Sequence, residues 1–164
     1  MTDSAPTPER FLVDAMLGKL TTYLRMCGYD TEYVLDVDGE WGRTPGHDPT
    51  DDEILARVRA SERTLLTRDS DLASRADDAV LLSSRDVRDQ LREVRDAGYS
   101  LSLADPPTRC GACNGELRPV DSDEPLPAYA PDPAETDCWR CLACGQAFWK
   151  GSHWDDVAAT LAGL

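Results

Sequence analysis

Lysine is almost absent from this 164-residue chain: Lys19 and Lys150 are the only two, against 15 arginines. Basic residues as a whole are scarce, because 17 of them face 31 acidic residues and leave a net charge of −14. No apolar run approaches the ~20 residues that span a bilayer, and the polar N-terminal residues lack the apolar core of a signal peptide. We therefore expect a soluble, cytoplasmic protein, with residues 1–9 flexible.

The acidic excess has two interpretations. One is an acidic protein that avoids nucleic acid. The other is a halophilic surface, on which dense carboxylates keep the protein hydrated while concentrated salt screens their repulsion. The acidic residues are scattered along the chain rather than gathered in one block, which favours the halophilic interpretation. On that interpretation, net charge does not exclude an anionic substrate.

Short apolar runs alternate with helical stretches from Arg10 to about Leu103. The sequence predicts strands at residues 11–13, 33–35, 64–67 and 79–82, with amphipathic helices between them and after the last. This alternation predicts an α/β fold, a parallel sheet with helices on both faces. Residues 104–107 break the pattern, so we expect one domain over residues 10–104 and a second unit over 105–164, which ends in a helix.

The cysteine spacing indicates a metal site in the second unit. Two residues separate Cys110 from Cys113, and Cys141 and Cys144 repeat that spacing after an acidic, proline-rich loop. Four thiolates fill a tetrahedral site, so we expect a structural zinc ribbon rather than disulfides. Cys138 also forms the CxxC pattern with Cys141. We prefer the Cys141 and Cys144 pair because it mirrors the first pair, including a neighbouring glycine.

Acidic residues follow two of the predicted strands. Asp14 comes directly after the first strand and Asp69 shortly after the third, while Asp51 and Asp52 open a helix that should begin at the same edge. If the first and third strands are neighbours, Asp14 and Asp69 can share a Mg²⁺ or Mn²⁺ ion, which prefers oxygen ligands. Such a site hydrolyses phosphodiesters. The alternative is that these aspartates only cap helices.

Two basic residues lie close to these acids in the sequence. Lys19 and Arg68 can each contact a substrate phosphate, although a single cation is more often an ordinary surface charge.

Three segments resemble motifs of one known family: FLVDAMLGKLTTYLRMCGYD at residues 11–30, LLTRDSDL at 65–72 and WKGSHW at 149–154. The chain is similar to the Mut-seven C-terminal RNase domain family, which has a PIN-like nuclease fold with a zinc ribbon. The resemblance implies metal-dependent cleavage of RNA. The long loop at residues 39–49 and the acidic stretch between the cysteine pairs depart from the usual pattern, so the resemblance does not extend to the loops near the site or to the choice of substrate.

The resemblance also implies which residues act. The family's acidic positions fall on Asp14, Asp51, Asp69 and Asp71, with Asp52 as the fallback for Asp51. His153, in the closing motif, is expected to have a structural role or to contact RNA, because four cysteines already fill the zinc site. The leading hypothesis is a Mg²⁺- or Mn²⁺-dependent endoribonuclease. The alternatives are a non-catalytic RNA-binding or ribosome-associated module and a protein-interaction adaptor.

Overall fold

A computed structural model describes residues 9–36 and 48–164. The predicted flexible segment, apart from its last residue, and most of the predicted loop at 39–49 lie outside the described residues. Within the described part of the chain, no helix combines the length and the apolar character needed to cross a membrane.

Four parallel strands form the central sheet, in the spatial order β2-β1-β3-β4. Their bounds are β1 Arg10–Val13, β2 Asp30–Tyr33, β3 Thr64–Thr67 and β4 Ala79–Leu81. In the register, Val13 lies opposite Tyr33 on one side and Leu66 on the other. The predicted adjacency of the first and third strands is therefore confirmed. The strand order reverses between β1 and β3, which makes their carboxyl ends the topological switch point where ligands bind in open α/β sheets.

Two layers of helices cover the sheet. The helices are α1 Gly18–Met26, α2 Asp51–Ser61, α3 Ser70–Arg75 and α4 Val87–Asp96, and a single 3-10 turn at Ala15–Leu17 precedes α1. Phe11 and Val13 of β1 point towards α1 and α4, whereas Leu12 points towards α2 and α3. The predicted parallel sheet flanked by helices on both faces is confirmed.

Side-chain caps fix where three of these helices begin. Thr50 accepts a hydrogen bond from the Glu53 backbone while the Glu53 carboxylate reaches back to Thr50, which is a capping box that starts α2. Asp69 caps the start of α3 and Asp86 caps the start of α4, and each carboxylate accepts two backbone N–H groups of the first turn. All three helices therefore begin at the carboxyl edge of the sheet.

The second strand differs from its prediction. The apolar run at residues 33–35 predicted a strand there, but β2 spans Asp30–Tyr33, and Val34 already lies in a turn. Glu32 of β2 is buried because Arg57 donates a 2.9 Å hydrogen bond to its carboxylate and Arg63 lies 3.3 Å away. A strand that is buried through ion pairs contains no apolar run, so the apolar pattern of the sequence does not predict it.

The last third of the chain forms a small antiparallel sheet and a helix. Strands β5 Leu117–Pro119, β6 Cys138–Cys141 and β7 Ala147–Trp149 pair in sequence order. Helix α5 Ser152–Ala162 follows, and Leu161 with Leu164 packs on the apolar layer beneath α1 and α4. The C-terminal end of the segment that carries the small sheet therefore packs against the core of the parallel-sheet unit.

Candidate functional site

Asp14 is a buried carboxylate at the switch point of the sheet. It follows β1, is 8% exposed, and its backbone N–H donates to the Leu66 carbonyl of β3. One carboxylate oxygen accepts the Ala15 N–H at 2.7 Å and the other accepts the Thr67 hydroxyl at 2.6 Å. The first bond caps the 3-10 turn, so a capping role and an exposed lone pair for a ligand coexist in one side chain.

Thr67 joins the two strand ends and was not predicted from the sequence. Its hydroxyl donates to Asp14, and the same oxygen accepts the Asp69 N–H at 3.0 Å. Asp69 in turn accepts the N–H groups of Asp71 and Leu72 at 3.0 and 3.2 Å. The sequence marks this role only by position, since Thr67 ends a buried strand and directly precedes Arg68 and Asp69.

Asp51 and Asp71 lie at the same edge but are exposed. Asp51 is the first residue of α2, and Asp71 is the second of α3. The fallback residue, Asp52, forms an ion pair with Arg75 at the end of α3, which leaves Asp51 as the freer of the two carboxylates.

The described residues bring together no three acidic, histidine or cysteine ligand atoms close enough to hold a metal except the four cysteines. The four predicted aspartates thus share one edge of the sheet without forming a closed cluster. Only Asp14 among them is buried.

Three unpaired cations, Lys19, Arg68 and Arg85, lie near this edge. In this acidic chain most arginines are ion-paired, but among the described residues four basic side chains have no carboxylate partner: Lys19, Arg68, Arg85 and Arg88. Lys19 and Arg85 line one cavity of about 450 Å³ between the starts of α1 and α4. Arg68, at the end of β3, lies 4.0 Å from the sulfur of Met16, which lines the same cavity.

The four predicted zinc ligands lie together, with all their sulfurs within 4.8 Å of one another. Cys110 and Cys144 are 3.8 Å apart, and Cys113 and Cys141 are 3.5 Å apart. Four sulfurs around a zinc ion at ~2.3 Å would be ~3.8 Å apart, so the cluster fits such an ion. Cys138 is not in the cluster, because its thiol donates to the Thr136 carbonyl instead.

The thiols of this cluster differ in acidity. Burial raises the pKa of Cys110, and it also raises the pKa of Cys113. Burial acts in the same direction on Cys141, but the backbone N–H groups of Cys144 and Ala143 outweigh it and lower the pKa of Cys141 to about 7. Four thiolates this close repel one another unless a cation joins them, and the tetrahedral spacing of the sulfurs supports a structural metal such as zinc.

Two tight turns shape the cluster. Asn114 (φ 70°) and Gly145 (φ 78°) occupy the left-handed position directly after each cysteine pair, and each donates its N–H to the carbonyl of the first cysteine of its pair. Gly115 is also required, because a Cβ there would lie 2.6 Å from the Cys141 sulfur.

Asn114 also docks the first cysteine turn on β2. Its amide donates to the Asp30 carboxylate at 2.7 Å, and its amide oxygen accepts the Thr31 N–H at 2.9 Å. Burial would raise the pKa of Asp30, but hydrogen bonds from Arg63 and Asn114 and the charges of Arg63 and Arg109 outweigh it and lower this pKa to about 2. Asp30 is therefore charged throughout the ordinary pH range and ties the cysteine cluster to the parallel sheet.

His153 lies in a different region from the aspartates. It is exposed in the first turn of α5 and lines a cavity of about 320 Å³, together with Trp149, Trp154 and residues of α1 and the first cysteine turn. Lys150 lies 5.3 Å from the centre of the Trp154 ring. Trp154 is half-buried and contributes to this cavity.

Comparison with known proteins gives one match. A family model described as the Mut7-C RNAse domain matches residues 9–161, which include both the parallel sheet and the cysteine cluster. No curated protein and no solved structure matches the chain.

Proposed function

We propose, from the premise that this chain belongs to the Mut7-C RNAse domain family, that it is a metal-dependent endoribonuclease. Membership supports an RNase-like role with RNA as the substrate. The metal dependence, the aspartates that act and the internal cleavage of RNA are our proposal. We also propose that the protein works in a salt-rich cytoplasm, because its −14 net charge is spread along the chain.

One observation carries the proposal: the buried carboxylate of Asp14 lies at the switch point between β1 and β3. A charged side chain in this position is expensive to bury unless its lone pairs are used. Two donors, the Ala15 N–H and the Thr67 hydroxyl, hold the carboxylate in one orientation. Each oxygen keeps a second lone pair that can face the crevice.

The donor set fits a hard divalent ion. Asp14, Asp51, Asp69 and Asp71 offer only carboxylate oxygens, which suits Mg²⁺ or Mn²⁺ better than zinc. When bound, such an ion activates a water and neutralises charge on the phosphate. Hydrogen bonds hold the Asp14 and Asp69 carboxylates in place, whereas the Asp51 and Asp71 side chains are exposed.

The remaining residues have supporting roles in this proposal. Lys19 and Arg68 attract the RNA backbone, since neither is neutralised by a carboxylate among the described residues. The four cysteines hold a structural zinc that keeps the small sheet folded. His153 contacts RNA at the aromatic cavity rather than taking part in the chemistry.

The replacement of Asp14 by asparagine tests the proposal. An amide is a poor ligand for a hard cation, so Asp14→Asn should abolish Mn²⁺-dependent cleavage of a single-stranded oligoribonucleotide in high KCl. Asparagine caps a turn about as well as aspartate, and the Thr67 hydroxyl can turn to accept from the new amide. We therefore expect the free energy of unfolding to change by less than about 1 kcal/mol.

Asp77→Asn is the matched control, because Asp77 is exposed and only faces Arg59 at 3.6 Å. It should cleave RNA like the wild type. If Asp14→Asn also cleaves at the wild-type rate, the assignment of Asp14 is wrong. If the wild-type protein binds RNA but never cleaves it, the non-catalytic RNA-binding module becomes the better description.

A further inference from the structure

The cavity between the starts of α1 and α4, called here the α1–α4 cleft, has a composition unlike the rest of the surface. Met16, Leu17, Gly18 and Lys19 line one side, and Arg85, Asp86, Val87 and Gln90 line the other. Its volume of about 450 Å³ is in the range of small-ligand sites. Because Met16 is only two residues after Asp14, the cleft opens next to the candidate catalytic carboxylate.

The charges of the cleft argue for an anionic occupant. Acidic residues outnumber basic ones by 31 to 17, so an unpaired cation is the exception in this chain. Lys19 and Arg85 are both exposed and both lack an ion pair in residues 9–36 and 48–164. In this acidic chain the cleft therefore holds two cations, neither of which forms an ion pair with a carboxylate among the described residues.

Neither of the other charges near the cleft neutralises this pair. The Asp86 carboxylate is turned into α4, where one of its oxygens accepts the N–H groups of Arg88 and Asp89 at 2.9 and 3.4 Å. Arg68 adds positive charge on the side of β3, and its Nε atom is buried without a hydrogen-bond partner among the described residues. A buried polar atom of this kind is usually satisfied by water or by a ligand.

We propose that the α1–α4 cleft binds the backbone phosphate next to the scissile phosphate of the RNA strand, and that Arg85 and Lys19 contact this neighbouring phosphate. This inference rests on the proposed ribonuclease function for the identity of the strand. Arg85 is thereby a substrate-positioning residue, and the strand runs from the carboxyl edge of β1 and β3 over the starts of α1 and α4. Met16, 58% exposed, offers apolar surface to the ribose or base of the same nucleotide.

The test is the salt dependence of RNA binding. A fluorescent, single-stranded oligoribonucleotide with a 5′-hydroxyl end is titrated with the full chain, without added divalent ions, at several KCl concentrations. Each phosphate contact contributes ~0.7 to the slope of log affinity against log salt for single strands. Arg85→Ala should therefore reduce the slope by ~0.7, which is about fivefold weaker binding at 0.1 M KCl, and Lys19→Ala combined with Arg85→Ala by ~1.4.

Arg88→Ala is the matched control, because Arg88 is an exposed, unpaired cation in the first turn of α4, three residues after Arg85, and does not line the cleft. Its slope should equal that of the wild type, and Arg85→Lys should recover most of the affinity. Equal slopes for Arg85→Ala, Arg88→Ala and the wild type would overturn the inference.

The two proposals fail separately. If the wild-type protein cleaves RNA but Arg85→Ala binds RNA as tightly as the wild type, the proposed phosphate site in the cleft is wrong and the ribonuclease proposal is unaffected. A reduced slope in Arg85→Ala, together with a wild-type protein that never cleaves, supports the cleft and refutes the ribonuclease.

Discussion

Replacing Asp30 by asparagine tests the contact that holds the cysteine cluster on the parallel sheet. The carboxylate accepts hydrogen bonds from Arg63 at 2.9 Å and Asn114 at 2.7 Å, and Arg109 lies 3.9 Å away. Asparagine keeps the shape and one acceptor oxygen but removes the charge. Arg63 is 5% exposed, so it would lose part of the compensation for its own buried charge.

The magnitude follows from the pKa of Asp30, which falls from its ordinary value of 3.8 to about 2. At ~1.36 kcal/mol per pKa unit, this shift corresponds to ~2 kcal/mol of stability. The side chain is 20% exposed, and solvent screening reduces the figure to ~1–2 kcal/mol. Because the folded-state pKa is lowered, this stability is fully present above about pH 4 and is lost as the pH falls towards 2.

Urea unfolding in 1 M KCl, followed between pH 7 and pH 2.5, measures the effect. We expect Asp30→Asn to be less stable than the wild type at pH 7, with a difference that shrinks steadily below pH 4. Asp96→Asn is the control, since Asp96 is 73% exposed and only faces Arg95 at 3.7 Å. If both variants have the same stability at pH 7, or if the difference at pH 2.5 is as large as at pH 7, the reasoning is wrong.

Three further outcomes are expected. Cys141→Ser should lose zinc, while Cys138→Ser should retain one zinc per chain by elemental analysis, because only Cys141 lies in the sulfur cluster. Gly115→Ala should weaken zinc retention in a chelator competition, since its Cβ would lie 2.6 Å from a ligand sulfur. The melting temperature should rise between 0.01 M and molar KCl, because the Debye length of ~30 Å in dilute salt leaves the −14 net charge unscreened; an unchanged midpoint would contradict the halophilic interpretation.

The regular elements were predictable where burial is apolar. Leu65 and Leu66 are fully buried in β3, and the predicted strand at 64–67 is confirmed with the same bounds. Helix α3 lies between the third and fourth strands, where the sequence predicts a helix, and the capping side chain of Asp69 marks its start. Local propensity and burial agree in these segments, so their secondary structure can be predicted from a single sequence.

The second strand was misplaced because its burial is electrostatic. Both Thr31 and Glu32 are buried, and both are bonded by arginines outside the strand: Arg25 donates to the Thr31 carbonyl and Arg57 to the Glu32 carboxylate. Hydropathy recognises only apolar burial, so it assigned the strand to the neighbouring Tyr33-Val-Leu run.

The candidate site was predictable in its location more than in its detail. Strand ends and helix starts correctly indicated the edge where Asp14, Asp51 and Asp69 lie. The role of Thr67 was not predictable, because a threonine in a strand is ordinary on propensity grounds. How closely the carboxylates approach depends on side-chain rotamers, which no spacing rule contains. For the cysteines the ligand spacing sufficed, since the chemistry of the turn fixes it.

The contact between the first cysteine turn and β2 has a consequence for solubility. β2 is an outer strand, and such strands expose backbone groups that can recruit another chain into the sheet. Here Asn114 occupies the Thr31 N–H and Arg25 donates to the Thr31 carbonyl at 2.9 Å, while Arg25 also grips the Gly111 carbonyl. A chain that loses the order of its cysteine turn would therefore uncover a strand edge, and self-association would accompany the loss of stability.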